Sequence, residues 1–190
     1  MQKRKEALEK YEKAKKSGEV DKDIISLLDK LNSTPIFYTT SSCSGRIVLI
    51  TLPEIGDKRN AFFLGKWHHA VDSGKVWEAL KKYKEDYLFM LMQSPVIHIV
   101  CKDMESANAL IKISLECGFK YTSIKNIKEE GILVEILSTE NLHIPLGKNG
   151  KLLVKEIDFF VEMANKMLLR SKQKLKCLEE KISCLLLFSS

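Results

Sequence analysis

Hydrophobic spacing along the chain switches between a helical period of 3.6 and a strand period of two, and each switch marks an element. Residues 2–16 are highly charged and helix-forming, and Ser17-Gly18 ends them. Ile24, Ile25, Leu27, Leu28 and Leu31 then fit the helical period, with Asp21 or Asp23 placed to cap the helix and Asn32-Ser33-Thr34-Pro35 to close it. Residues 36–39 and 47–50 are β-rich and read as a hairpin around residues 40–46. A loop over 53–60, a strand over 61–67 and a short helix over 76–83 follow.

Apolar runs at 87–92 and 96–101, divided by Gln93-Ser94-Pro95, read as two strands. The second leads into a helix over 104–117, with Ala107, Leu110, Ile111 and Ser114 on one face and Gly118 as its stop. Another strand covers 132–137. Residues 142–146 and 152–154 flank Lys148-Asn149-Gly150, a strong hairpin signal. From about 157 to 183 the chain is one long helix, whose Val161, Ala164, Leu168, Ser171, Leu175, Leu178 and Ile182 step by three and four in alternation. That stripe packs on the protein's own sheet or, alternatively, forms a homodimer through the C-terminal helix. The architecture expected is α+β: a mixed β-sheet with helices at both chain ends, in a single domain over 1–190.

Composition narrows the classes. Lys and Arg number 31 against 25 Asp and Glu, a net charge of +6 that suits a polyanionic partner without establishing one. Arg4, Arg46, Arg59 and Arg170 are the only arginines, which sets Arg46 apart from generic surface charge. Five cysteines without CxxC spacing argue for a reducing, cytoplasmic setting and against a disulfide framework. No apolar run reaches the ~20 residues of a membrane span, so no membrane partner is expected. Few Gln beside abundant Lys, Glu and Ile suit a thermophile. Neither GxGxxG nor GxxxxGK[ST] occurs, which excludes the doubly wound nucleotide-binding fold and the phosphate-loop NTPases.

The run Thr40-Ser41-Ser42-Cys43-Ser44-Gly45-Arg46 carries the most chemistry. Small side chains admit a ligand close to the backbone, and Ser, Thr and Arg donate to phosphates and carboxylates. A Ser-rich surface turn is the plain alternative. Cys43 reads as a small lining residue, and as a nucleophile only if a base such as His69 or His98 lies beside it. His98 interrupts the apolar strand 96–101, either as a hydrogen-bonded core residue or as the floor of a site. His68-His69 follow a strand end beside the aromatic Trp67. No His spacing supports a metal site, and none is expected.

Taken together these segments resemble the tRNA wybutosine-synthesising methyltransferase family, over about residues 17–154. Residues 40–46 match its Thr-Ser-Ser-Cys-Ser-Gly-Arg signature at every position, and Gly18 and Asp21 its entry motif. Trp67 followed by His69, the strand Pro95-Val96-Ile97-His98-Ile99-Val100, Gly118-Phe119-Lys120 and Val134-Glu135-Ile136-Leu137-Ser138-Thr139 support it. Gln93-Ser94-Pro95 lacks the family's acidic residue before the proline, and Ser123 stands where glycine is usual. The resemblance implies S-adenosylmethionine as cofactor and N-methylation of a wybutosine-type guanosine at position 37 of tRNA(Phe), with the anticodon region as partner. It implies substrate- or cofactor-binding roles for Asp21, Ser41, Ser42, Cys43, Ser44, Gly45, Arg46 and Trp67, and a catalytic role for His98, with His69 second. A stacking aromatic is expected at Trp67 or Tyr38. Two rivals stay open: a non-catalytic tRNA-binding module, and an enzyme that uses Cys43 covalently.

Overall fold

The computed structural model describes residues 2–57 and 59–187. Contacts divide the chain into two compact units, neither of them continuous in sequence. The first comprises residues 1–44, 95–139 and 171–190; the second comprises 45–94 and 140–170.

In the first unit, helix α1 (Gln2–Lys16) and helix α2 (Ile25–Asn32) precede strand β1 (Phe37–Cys43). Strand β5 (Val96–Cys101), helix α4 (Met104–Glu116), strand β6 (Ser123–Lys128) and strand β7 (Gly131–Leu137) follow. Its sheet has the order β1-β5-β7-β6, every pair antiparallel. The sequence reading missed β6 because Ser123-Ile124-Lys125-Asn126-Ile127-Lys128 is an exposed edge with no apolar run. Its turn into β7 carries that strand back between β5 and β6, a split βαβ arrangement. Asp103 starts α4 with a reciprocal capping box to Ser106. One sheet face is buried by Phe37, Ile97, Ile99, Ile132, Val134 and Ile136 against the helices.

The second unit holds strands β2 (Arg46–Leu52), β3 (Phe62–Trp67), β4 (Tyr87–Gln93), β8 (Leu142–Lys148) and β9 (Lys151–Leu152), with helix α3 (Ser73–Leu80). Its sheet order is β3-β2-β4-β8-β9, again antiparallel throughout. Asn149 and Gly150 take φ of 50° and 76°, the left-handed pair that a two-residue hairpin needs. Ile47, Leu49, Leu88, Met90 and Met92 form the core side of this sheet.

Helix α5 (Ile157–Leu187) contributes to both cores. Val161, Ala164 and Leu168 are buried in that of the second unit, and Leu175, Leu178 and Ile182 in that of the first. The heptad stripe is therefore filled by the chain's own core, which removes the reason to place a second helix on it.

The α+β class and the terminal helices are as expected. In place of one mixed sheet there are two antiparallel ones. Residues 40–46 do not turn a hairpin: β1 pairs with β5, β2 pairs with β3 and β4, and Ser44-Gly45 links strands of different sheets. Gly45, at φ 88°, supplies the left-handed backbone for that change of course. Cys117 and Cys177 form a disulfide with Cα atoms 5.6 Å apart, against the sequence expectation. The partners are 60 residues apart and meet only through the packing of α4 on α5 within the first unit, so no local spacing signals them.

Candidate functional site

Strand alternation alone would turn Thr39 and Ser41 to the same face of β1. A bulge intervenes: the register jumps between Thr39, opposite Ile99, and Ser41, opposite His98. Thr40 is the extra residue, and it reverses the alternation. Thr39 stays buried, with its N–H donating to Asn32 Oδ1 at 2.8 Å. Ser41 emerges on the opposite, open face.

On that face four strands supply one row of side chains. Ser41 Oγ lies 2.7 Å from His98 Nδ1, and His98 Nε2 lies 2.8 Å from Glu135 Oε2. Lys125 Nζ, from β6, closes the row at 2.6 Å from Glu135 Oε1. Burial raises the Glu135 pKa, but hydrogen bonds from Lys125 and His98 outweigh it and hold the carboxyl below its ordinary value. An ionised carboxylate only accepts, so the Nε2 side of His98 donates to Glu135, and in the neutral imidazole Nδ1 is the acceptor that faces the Ser41 hydroxyl. The His98 side chain is 30% exposed, neither a core histidine nor an open one. A cavity of about 180 Å³ opens on the same face, lined by Tyr38, Thr40, Val100, Asn126 and Leu133 among others. Burial, then the charge of Glu130, raises the Tyr38 phenol pKa, so the ring stays neutral.

Asp21 does not cap the second helix. Its carboxylate accepts the Ser44 N–H at 2.7 Å. Ser44 is fully buried, and its Oγ accepts from Lys172 Nζ at 2.6 Å; the same ammonium pairs with Asp23. Ser44 is thus held from both sides within the first unit. Ser42 and Cys43 are half-buried at the end of β1, and Cys43 is not part of the disulfide.

Arg46 opens β2 in the second unit. Its Nε donates to Gln93 Oε1 at 2.7 Å, and its guanidinium carbon lies 5.8 Å from the Phe63 ring centroid. Among the described residues no carboxylate pairs with it, and the outer N–H groups have no hydrogen-bond acceptor. Gln93, in the segment that lacks the family's acid, accepts one bond without neutralising the charge. Trp67 lies across its own strand: a Cβ on Gly65 would meet the indole at 2.2 Å. The ring packs against the core of the second unit, which fits structure better than stacking on a ligand. His69 is exposed between β3 and α3. Ser123 opens β6, paired with Glu135 ahead of a register shift between Ile124 and Asn126, and needs no positive φ, so serine is accommodated there.

The structure therefore joins Ser41 with His98 and Asp21 with Ser44. Arg46, Trp67 and His69 belong to the other unit. Glu135, Lys125, Lys172 and Gln93 went unassigned in the sequence. A carboxylate in the apolar strand Val134-Glu135-Ile136, in step with His98, was the one signal available; nothing local marks Lys172.

The family model described as Methyltransferase TYW3 matches residues 2–184. A Pyrococcus horikoshii protein named tRNA(Phe) 7-((3-amino-3-carboxypropyl)-4-demethylwyosine(37)-N(4))-methyltransferase 1 is 47% identical over 184 residues, 96% of this chain and 94% of its own length. A Methanocaldococcus jannaschii methyltransferase whose name gives the same substrate is 37% identical over 173 residues, 90% of each chain. A solved structure from Pyrococcus horikoshii aligns with a TM-score of 0.92 at 47% identity, over 95% of this chain and 94% of that one. Another, from Aeropyrum pernix, gives 0.74 at 25% identity, over 85% and 96%. With that coverage and identity, the chain belongs to the Methyltransferase TYW3 family.

Proposed function

We propose that this chain methylates a ring nitrogen of a wybutosine-type modified guanosine at position 37 of tRNA(Phe), with S-adenosylmethionine as donor. The Ser41–His98–Glu135 row on an open sheet face, in a member of a methyltransferase family, carries the reading. The donor supplies an electrophilic methyl group, whose bond to sulfur breaks as the bond to nitrogen forms. A ring N–H must shed its proton in that exchange. Ser41 Oγ accepts it and passes its own hydroxyl proton to His98 Nδ1, while Glu135 fixes the imidazole through Nε2. An acid–base group of this kind contributes about 10²–10⁴ in rate, and positioning supplies much of the rest.

The cavity beside Thr40 suits the acceptor base, with Tyr38 as its aromatic wall. Arg46 has donors to spare for a carboxylate. The donor carries one, and so does the base in the names of the relatives. Asp21 and Lys172 hold Ser44 in place and need touch no ligand. Cys43 has no covalent part, because transfer to nitrogen needs no enzyme-bound intermediate.

The test is transfer of labelled methyl from S-adenosylmethionine to tRNA(Phe) bearing the unmethylated base, followed by nuclease digestion and mass analysis. One added methyl on the tricyclic base is expected. Binding of both ligands without transfer would instead identify a non-catalytic RNA-binding module.

A further inference from the structure

The second unit's sheet has an outer face with its own chemistry. On β4, Leu88, Met90 and Met92 are buried, while Tyr87, Phe89, Leu91 and Gln93 alternate with them and are partly exposed. The register places Arg46, Val48, Ile50 and Leu52 beside that outer set, with Lys66 opposite Val48 and Phe63 opposite Ile50. Val48 and Ile50 form a buried floor, and Phe63 stands 40% exposed on the edge strand.

Cations lie against these rings. Lys66 Nζ is 5.1 Å from the Phe63 centroid, with Arg46 on the same ring, and Lys148 Nζ is 4.6 Å from that of Tyr87. None of the five strands carries an Asp or Glu. Glu54, in the loop after β2, is the acid that acts on Lys148 through space. Arg46 and Lys66 have no carboxylate partner among the described residues. An antiparallel face with one exposed ring, two partly exposed rings and cations of which Arg46 and Lys66 have no carboxylate partner among the described residues matches one kind of ligand: bases that stack and phosphates that pair.

We propose that this face binds single-stranded RNA, Phe63 stacking a base while Lys66 and Lys148 take flanking phosphates. From Arg46 to Leu52 the face runs roughly 20 Å at ~3.3 Å per residue, room for a few nucleotides. The identity of the RNA, the loop around the modified guanosine, rests on the proposed function; the binding chemistry does not. Cation-flanked rings account for the stacking without Trp67.

Fluorescence anisotropy of the full chain with a labelled single-stranded RNA of about twelve nucleotides tests it, with circular dichroism as the folding control. Phe63→Ala should weaken binding about tenfold and Phe63→Trp restore it, since stacking is tolerant of ring type. Lys66→Gln with Lys148→Gln should lower the slope of log affinity against log salt by about 1.4, two phosphates' worth for a single strand. This arm keeps the test decisive even if Phe63→Ala fails to fold. Folded Phe63→Ala binding like wild type, Phe63→Trp no better than Phe63→Ala, or an unchanged salt slope would overturn the proposal. Equal competition by heparin and RNA would also overturn it, because charge alone would then explain binding. If the wild type binds RNA through Phe63 yet transfers no methyl, the platform stands and the proposed activity fails. If it transfers methyl while Phe63→Ala leaves RNA affinity unchanged, the platform fails alone.

Discussion

The two sheets solve one packing problem and then diverge. Each is antiparallel, and each buries one face against helices, α5 contributing to both cores. In the first unit the open face carries the sheet's only strand carboxylate, Glu135, and it is matched: Lys125 pairs with it and His98 hydrogen-bonds to it. In the second, no strand carries an acid, and among the described residues Arg46 and Lys66 have no carboxylate partner beside Phe63. Matched charges fix a tautomer and a proton's location. Unmatched charges attract an anion, because no internal partner competes for them. The first face fixes its polar groups against one another beside a cavity, and the second leaves cations without a carboxylate beside an exposed ring.

The largest expected effect separates the units by stability. Cys117–Cys177 ties α4 to α5 within the first unit only. Its reduction, or Cys117→Ser, should cost about 2–4 kcal/mol, the usual range for a disulfide closing a long loop. Amide exchange should rise in β5 and β7 and stay unchanged in β2 and β4. Equal acceleration in both sheets would show that the disulfide is not confined in its effect.

Next comes Arg46→Ala, which should lower affinity for S-adenosylmethionine or tRNA by about 1.5–3 kcal/mol, as for a charged hydrogen bond. Titration calorimetry with each ligand identifies which carboxylate the guanidinium serves. Unchanged affinity for both in the folded variant would remove Arg46 from binding.

A smaller effect distinguishes the first unit by pH. The folded Glu135 pKa lies below its ordinary value of 4.5, so its ion pairs stabilise above that value. That contribution is lost as pH falls from 4.5 through the lower folded value. Wild type should therefore exceed Glu135→Gln in melting temperature at neutral pH, and the gap should close in acid. A gap that is constant with pH would contradict an ionised Glu135.

Smallest of all is Cys43→Ser, which should keep substantial turnover. Loss beyond roughly a thousandfold at normal binding would instead favour covalent chemistry.

Much of this arrangement was legible in the chain. Asn149-Gly150 and Gly118 specify their backbone directly, and the 96–101 alternation already set His98 apart from Ile97 and Ile99. The hairpin expected at residues 40–46 failed because strand propensity does not name a partner, and β1 and β2 pair in different sheets. The bulge at Thr40 was hidden for a related reason: it appears only against the register of β5, and it decides which face Ser41 takes. Asp21 looked like a helix cap because a cap is local, whereas its partner Ser44 N–H lies 23 residues on. Lys172 and the disulfide depend on where α5 lies, which no short pattern encodes. Phe63 drew no notice because one exposed phenylalanine reads as ordinary surface until its strand register is known.

Steady-state methyl transfer to tRNA(Phe) by His98→Asn and Phe63→Ala tests the division between the two faces most directly. His98→Asn should lower kcat about a hundredfold or more at near-normal melting temperature, with the KM for tRNA little changed. Phe63→Ala should raise that KM about tenfold and leave kcat near wild type. The division would be contradicted if His98→Asn retained kcat, or if both variants changed the same constant.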